Sequence, residues 1–286
     1  MSNVEDGGID LKPVLSDDDA QQFESLGYVV IRDVISRQMA EWFNGHILDL
    51  VPRSLTFPPE WHVADGRIKP YHDTGEDGSS WDTPELLPLI CHETLYRAAA
   101  QLLGSARLRS GDGRYRDGSI GITLRNDSGP ILSQKLHVDA SIPRDAPRAL
   151  LVAEEVQFGG CYYFADVEPS GGGIHVIPGG HKILAKKVAS QKGGWPAVFE
   201  EGFFDDFPDT VEITASAGDF VALHHLTPHA ASNNRHPRPR VALFVRFLRE
   251  DNPHYPGQPA PRDMYNATQL RAMGPLGRRL LGVDPW

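Results

Sequence analysis

Hydrophobic residues in the first hundred positions recur at helical spacing, three or four residues apart, in three segments. Ser16 precedes the first segment as a capping hydroxyl, and three aspartates follow it where negative charge stabilises a helix start. Gly27 ends this helix, and the apolar run after it predicts a strand over residues 28–31. The helices predicted in this part of the chain cover residues 16–26, 36–51 and 83–103.

The pattern changes after Gly104, where short apolar segments alternate with clusters of Gly, Pro and Asp as far as residue 249. Many short strands separated by turns are typical of a β-sandwich or barrel. Because helices come first and strands follow, the sequence predicts one α+β domain that is mainly β. The predicted strands are 106–110, 119–125, 133–138, 149–156, 160–165, 173–177, 211–214, 219–223 and 240–248.

A single domain accounts for most of the length, since 286 residues suffice for one large core. Residues 52–82 lack periodicity. A loop this long is usually functional or disordered, and we expect this one to cover a substrate pocket. Residues 182–208 are expected to form a surface insertion, and a short helix is predicted within 262–282. The expected divisions are a mobile arm over 1–14 and one domain over 15–286, with cap and lid elements in 15–104, the barrel core in 105–249 and a tail in 250–286.

The composition favours a small-molecule partner. The formal charge is −10, and a net-acidic chain without a basic run is a poor ligand for nucleic acid or an anionic membrane surface. Cys91 and Cys161 match no metal or redox spacing, and both are expected to be buried. A chain of this size with two cysteines suggests a reducing compartment. Neither a signal peptide nor an apolar run of membrane-spanning length occurs, so the predicted location is the cytoplasm. The sequence does not predict an oligomeric state.

Three residues form a candidate metal site. Residues i and i+2 of a strand point to the same face, so His137 and Asp139 could offer an imidazole and a carboxylate to one ion. Alone, the pair is a weak signal, because a surface His-x-Asp is common. A second histidine, His229, follows a later strand that a barrel could bring close. Two histidines and one carboxylate on one face of a metal are typical of non-haem iron(II) oxygenases. The three open positions suit a bidentate 2-oxo acid and dioxygen.

Arg240 is a candidate anchor for the far carboxylate of 2-oxoglutarate. It begins an apolar strand eleven residues after His229, and its guanidinium fork matches a carboxylate in two-point geometry. Arg246 lies on the same strand face by parity and is the rival anchor. A surface salt bridge is the simpler alternative for either arginine.

Further segments resemble the phytanoyl-CoA dioxygenase family of iron(II)/2-oxoglutarate-dependent oxygenases. The spacing from His229 to Arg240 is the family's, and Asn234 stands where an asparagine is common. The resemblance implies a double-stranded β-helix, or jelly-roll barrel, with flanking N-terminal helices as one catalytic domain. It also implies iron(II), 2-oxoglutarate and dioxygen, with release of succinate and CO2, and ascorbate as a possible stimulant. The segments that carry the resemblance are 27–34, 164–173, 177–182, where Gly180 replaces the usual serine, and 277–282.

The chain departs from the family pattern at one position. Relatives often have a serine two residues after the distal histidine that helps to bind the cosubstrate, whereas this chain has Ala231 there. The helper therefore stays open among Ser232, Thr123 and Gln134. Relatives that halogenate lack the carboxylate ligand, so the presence of Asp139 argues against halogenation.

Other histidines and aromatics are candidates for contact with substrate. His225 precedes the distal histidine, and His175 lies on a strand that could line the pocket. His72 and Trp81 belong to the expected lid. For each of them a solvated loop residue or a satisfied core residue is the simpler interpretation.

The resulting hypothesis is a hydroxylase of a small molecule, such as a natural-product intermediate. The same scaffold could instead desaturate, epoxidise, close a ring or form an endoperoxide, because substrate position selects among these outcomes. A non-catalytic ligand-binding barrel is the alternative from another class. Zinc also accepts the three ligands, but a zinc hydrolase would leave Arg240 without a purpose.

Overall fold

The computed structural model describes residues 5–6, 9–49, 67–68, 86–110, 119–138, 157–190, 198, 200–251 and 265–286. Its helices are α1 (Asp17–Leu26), α2 (Arg37–Asp49), α3 (Leu87–Ile90), α4 (Glu93–Leu103), α5 (Gly180–Ser190) and α6 (Ala267–Leu280). Its strands are β1 (Glu5–Asp6), β2 (Ile9–Asp10), β3 (Tyr28–Ile31), β4 (Arg67–Ile68), β5 (Leu108–Ser110), β6 (Ser119–Thr123), β7 (Gln157–Tyr163), β8 (Ile174–Val176), β9 (Val211–Glu212), β10 (Phe220–His224), β11 (His229–Ala231) and β12 (Arg240–Arg249).

Two antiparallel sheets form the body of the protein. The larger sheet has the order β3-β10-β7-β12-β6-β4, and β5 also pairs with β12. The smaller sheet has the order β11-β8-β9. Isolated bridges join Leu132 to Ser232 and His137 to His229, so the segment before Asp139 runs along the β11 edge. Among the described strands neither sheet closes on itself, and the arrangement is the mainly β, two-sheet form that the sequence predicts.

The apolar side chains divide between two layers because residues alternate between the faces of each strand. Val241, Leu243, Val245 and Phe247 of β12 join the large core between the major sheet and the helices. Ala242 and Phe244 point the other way, into a smaller core that also contains Tyr163 of β7 and Val176 of β8. This second layer is the interior between the sheets, and Arg240 shares its face by parity.

The first helix has the ends that the sequence predicts. The Ser16 hydroxyl accepts a hydrogen bond from the Asp19 backbone, and the Asp19 carboxylate accepts one from Ser16, which completes a capping box. Gly27 ends α1 with φ +78°, a left-handed conformation that glycine adopts without strain. Within the expected N-terminal arm, the Val14 backbone donates to Gln101 of α4, so packing against the domain begins before residue 15.

Several predicted elements need correction. The helix expected over 83–103 is two helices, because His92 is extended and α4 begins after it; a break of two residues leaves the hydrophobic spacing almost unchanged. Residues 133–138 do not form a continuous strand, and His137 is the residue among them that forms a bridge. The strand expected at 160–165 is β7, which starts at Gln157. The expected insertion 182–208 includes most of α5, and β4 and β11 were not predicted. The strand predicted over 149–156 lies outside the described residues.

Candidate metal and cosubstrate site

His137 and His229 lie side by side at the edge of the smaller sheet. Each backbone N–H donates to the other's carbonyl, at 3.0 and 2.9 Å between nitrogen and oxygen. Directly opposed residues of an antiparallel pair project to one face, and here the ring centroids are 4.5 Å apart. His229 is buried and His137 is half-buried. Residues 92 positions apart are thus brought together by the pairing of two short segments.

Each of these two imidazoles has its Nδ1 directed at a backbone carbonyl two residues earlier. His137 Nδ1 is 3.0 Å from the Lys135 oxygen, and His229 Nδ1 is 2.9 Å from the Thr227 oxygen. A carbonyl only accepts hydrogen bonds, so Nδ1 carries the proton and the neutral ring has its lone pair on Nε2. Metal-binding histidines commonly donate their other nitrogen in this way. Both rings therefore fit coordination of a metal through Nε2.

The third predicted ligand, Asp139, lies outside the described residues. Within the part of the chain that the structure describes, no group of three His, Cys, Asp or Glu side chains is arranged to hold a metal. The two histidines suit iron(II), which accepts imidazole nitrogens together with a carboxylate. The donor chemistry of the described residues is thus compatible with iron but incomplete without a further ligand.

Arg240 and Thr123 face each other across neighbouring strands. They are directly opposed in the β12–β6 register, and both are buried, at 3% and 1% exposure. Among the described residues, neither Arg240 Nη1 nor Thr123 Oγ1 has a hydrogen-bond partner, and no carboxylate forms an ion pair with Arg240. Leaving buried polar groups unpaired costs free energy. Two adjacent buried donors without a partner fit a site for a carboxylate.

The surroundings of Arg240 fix where its guanidinium points. Arg240 Nε donates to the Gly172 carbonyl at 2.9 Å, and the guanidinium carbon lies 5.8 Å from the centroid of the Tyr163 ring. Gly172 has φ +82°, and a Cβ there would lie 3.4 Å from Thr123 Cγ2. The Asn234 amide donates to the Thr123 carbonyl, at 3.3 Å. Sequence reasoning missed the contacts of Tyr163 and Gly172 with Arg240: Gly172 lies in the segment 164–173, but no local pattern places either residue beside Arg240.

Arg246, the rival anchor, stands six residues along β12 from Arg240 and opposite Gly159. A strand rises about 3.3 Å per residue, so the two arginines start about 20 Å apart. A five-carbon dicarboxylate is too short to engage both. Thr123 pairs with Arg240 and not with Arg246.

The other predicted contacts fall in different places. Gln134 is exposed, and Ser232 is buried with its hydroxyl donating to the Gly173 carbonyl at 2.6 Å. His175 pairs with Ala230, the neighbour of His229, so it lies on the opposite face of the smaller sheet from His229. His225 is buried and its ring stacks on that of His224, at 4.6 Å between centroids. His72 and Trp81 lie outside the described residues.

Two cavities border these side chains. One, of about 590 Å³, reaches Arg240 and is lined by α2, the turn that follows β7 and the turn before β12. The other, of about 650 Å³, lies between His137 and the aromatic pair Phe203 and Phe204. Gln134 lines the second cavity and Arg240 the first, so the described residues do not bring those two together.

A cluster of histidines lies behind the site, between α1 and α5. The His224 ring is 4.9 Å from that of His181 and accepts a hydrogen bond on Nδ1 from the Leu226 backbone. Burial, followed by the nearby His225 and His181, lowers the pKa of His224 to about 2. Burial likewise lowers the pKa of His181. His224 is therefore neutral at physiological pH and acts as a packed core residue.

Comparison with solved structures shows the same fold. SnoK, a non-haem α-ketoglutarate-dependent carbocyclase from nogalamycin biosynthesis, has a TM-score of 0.58 and 20% identity over 85% of this chain and 88% of its own. The epimerase SnoN, in complex with Fe3+, α-ketoglutarate and nogalamycin RO, has 0.55 and 17% over 82% and 83%. EctD from S. alaskensis, with 2-oxoglutarate and 5-hydroxyectoine, has 0.54 and 16% over 84% and 78%. No curated protein matches the sequence.

These similarities identify the fold of the two sheets as a jelly roll. Among the described helices, none has the length and apolar character needed to cross a membrane. The sequence profile of phytanoyl-CoA dioxygenase (PhyH) matches residues 23–242, which include every strand from β3 to β11 and the start of β12. The chain therefore belongs to the phytanoyl-CoA dioxygenase family, and it is a 2-oxoglutarate-dependent oxygenase that uses iron.

Proposed function

We propose that the protein hydroxylates an unactivated C–H bond of a small molecule, with His137, Asp139 and His229 as iron ligands and Arg240 as the cosubstrate anchor. The observation that carries the proposal is the pair of buried donors, Arg240 Nη1 and Thr123 Oγ1, which have no partner among the described residues. Such a pair suits the far carboxylate of 2-oxoglutarate, because a guanidinium and a hydroxyl both donate to carboxylate oxygens.

Each residue has a limited task in this proposal. Bound iron and 2-oxoglutarate supply the oxidising chemistry, with release of succinate and CO2. His137 and His229 offer Nε2 lone pairs, held in that tautomer by the carbonyls of Lys135 and Thr227. Arg240, oriented by the Gly172 carbonyl, fixes the far end of the cosubstrate. Thr123 adds a second hydrogen bond there.

The proposed substrate is a natural-product intermediate. Relatives of the same fold act in nogalamycin biosynthesis or hold 5-hydroxyectoine, a hydroxylated small molecule. The second candidate is another oxidative outcome on the same scaffold, which a carbocyclase and an epimerase among those relatives favour. The cavity beside His137, with Phe203 and Phe204 on its wall, is the proposed substrate side.

Succinate production tests the proposed chemistry. Purified protein is incubated with iron(II), ascorbate and 2-oxoglutarate, and succinate is measured by mass spectrometry. We expect iron-dependent succinate that His137→Ala abolishes, since loss of a metal ligand removes the iron. Equal succinate from the parent, the alanine variant and protein-free buffer would contradict the proposal.

Arg240→Ala and Arg246→Ala form a matched pair for the cosubstrate anchor, because both arginines lie on one face of β12. Loss of a charge-assisted bidentate contact costs about 2 kcal/mol or more, so Arg240→Ala should weaken 2-oxoglutarate binding about thirtyfold. Arg246→Ala should leave it within about twofold of the parent. Isothermal titration of the metal-loaded proteins gives both constants, and the reverse ranking would move the anchor to Arg246.

A further inference from the structure

We infer that Thr227 is a positioning residue for His229: its carbonyl holds the imidazole in the metal-binding tautomer, and its hydroxyl holds that carbonyl in place. The inference rests on the proposed role of His229 as an iron ligand. Its starting observation is the 2.9 Å contact between His229 Nδ1 and the Thr227 oxygen, in which both residues are buried.

Thr227 is fixed from two directions. Its backbone N–H donates to the His224 carbonyl at 2.9 Å, and its hydroxyl donates to the Gly27 carbonyl at 2.7 Å. The side chain is fully buried, so water does not compete for these bonds. With one bond on the backbone and one on the side chain, residue 227 has little freedom to rotate. Its carbonyl therefore has one preferred direction.

The next residue removes the remaining freedom. Pro228 has no N–H and a fixed φ, and its own carbonyl accepts a hydrogen bond from the Ile177 backbone at 3.0 Å. The peptide unit that carries the Thr227 oxygen is thus held on both sides. Residue 229 follows directly, so its imidazole meets a carbonyl whose position does not depend on the metal.

Contact between Thr227 and the end of α1 depends on a glycine. A Cβ at Gly27 would lie 2.3 Å from Thr227 Oγ1, which no side chain could occupy. Gly27 also has φ +78°, as the left-handed residue that ends α1. Gly27 therefore ends the helix and admits the threonine hydroxyl, and its carbonyl accepts hydrogen bonds from both the Thr227 hydroxyl and the His224 backbone.

The described carbonyl beside the other histidine is less enclosed. The carbonyl facing His137 belongs to Lys135, which is exposed and whose ammonium pairs with Glu201 at 2.8 Å on the surface. Solvent can reach that contact. The Nδ1 contact of His229 is thus buried, whereas the described Nδ1 contact of His137 is exposed.

Thr227→Val tests the inference, because valine keeps the shape and removes the hydroxyl. Tyr162→Phe is the matched control: it also deletes one buried hydroxyl that donates to a carbonyl, that of Leu89, in the core on the helix side. Nitrogen NMR of the metal-free proteins reports the His229 tautomer directly. Cobalt(II) titration, followed by visible absorption, reports metal affinity without turnover.

We expect the parent, Tyr162→Phe and Thr227→Ser to show His229 protonated on Nδ1, and Thr227→Val to show a mixture of tautomers. Loss of a group that orients a metal-binding side chain weakens metal binding about tenfold or more. The Thr227→Val variant should therefore bind cobalt about tenfold less tightly or weaker still. A valine variant with the parent's tautomer and affinity would overturn the inference, even if its melting temperature fell like that of the control. If valine prevents folding, Thr227→Ala gives the same readouts.

The two proposals fail in different ways. If His229→Ala binds cobalt as tightly as the parent, His229 is not a ligand and the metal assignment fails. If His229→Ala loses binding while Thr227→Val keeps both the parent tautomer and the parent affinity, only the positioning role fails.

Discussion

At the scale of single residues, the site depends on polar atoms whose partners are fixed or missing. Arg240 Nε donates a hydrogen bond to the Gly172 carbonyl. Arg240 Nη1 and the neighbouring Thr123 hydroxyl have no hydrogen-bond partner among the described residues. A buried donor without a partner is destabilising until a ligand supplies one. Removing the Thr123 hydroxyl should therefore change the stability of the ligand-free protein and the affinity for the cosubstrate in opposite directions.

Thr123→Val should weaken binding of 2-oxoglutarate about fivefold, because one hydrogen bond of about 1 kcal/mol is lost. The same change should leave the melting temperature of the ligand-free protein equal or higher, since it removes an unpaired buried hydroxyl. Differential scanning fluorimetry with and without 2-oxoglutarate measures both effects. Thr123→Ser is the control that keeps the hydroxyl. If the valine variant melts at a lower temperature and binds 2-oxoglutarate like the parent, the Thr123 hydroxyl stabilises the fold and does not bind the cosubstrate.

At the scale of elements, β7 is an inner strand of the larger sheet. It pairs with β10 on one side and β12 on the other, and each of its residues is buried. Its two adjacent glycines face opposite layers. A Cβ at Gly160 would lie 1.9 Å from the Val221 carbonyl oxygen, and Gly160 has φ +154°, whereas a Cβ at Gly159 would meet nothing closer than 3.5 Å.

Gly160→Ala should destabilise the protein by more than about 3 kcal/mol, because backbone on the neighbouring strand must move. Gly159→Ala should change the free energy of unfolding by about 1 kcal/mol or less, since its Cβ makes ordinary contacts and alanine loses less backbone entropy than glycine. Urea unfolding followed by circular dichroism compares the two. Equal losses at both positions would mean that strand flexibility, rather than the close approach of β10, requires the glycines.

At the scale of the whole molecule, buried neutral histidines couple folding to pH. His224 is 4% exposed, and its pKa falls from 6.5 to about 2 in the folded protein. Below pH 6.5 the unfolded chain binds a proton there that the folded chain does not bind. Stability from this residue is therefore fully present above pH 6.5 and is lost as the pH falls toward the folded pKa.

The parent should lose about 2 kcal/mol of stability through His224 between pH 7 and pH 5. His224→Asn keeps an acceptor for the Leu226 N–H but cannot be protonated, so its stability should fall less over that range. Chemical unfolding at each pH gives the comparison, and between pH 7 and pH 8 the two proteins should behave alike. An identical acid slope in both would mean that His224 is not buried as neutral imidazole.

Local patterns were enough to predict much of this protein. Short apolar segments separated by turn residues after Gly104 predicted a sandwich or barrel, and the Ser16–Asp19 and Gly27 signals predicted the ends of α1. The motifs around His137, His229 and Arg240 indicated the family. These features depend on neighbours in the chain, where strand alternation, capping and turn chemistry act. The sequence also favoured Arg240 over Arg246 as the anchor, and it left the helper open among Ser232, Thr123 and Gln134.

Tertiary structure decided what depends on distant segments. Pairing of β12 with β6 sets Thr123 opposite Arg240 and leaves Arg246 about 20 Å away along the strand. The bridge between residues 137 and 229 puts two imidazoles on one face, and the smaller sheet turns His175 to the other. The contact of Gly27 with Thr227 joins positions 200 residues apart. Strand register and close backbone approach follow from packing the whole chain, so no local pattern determines them.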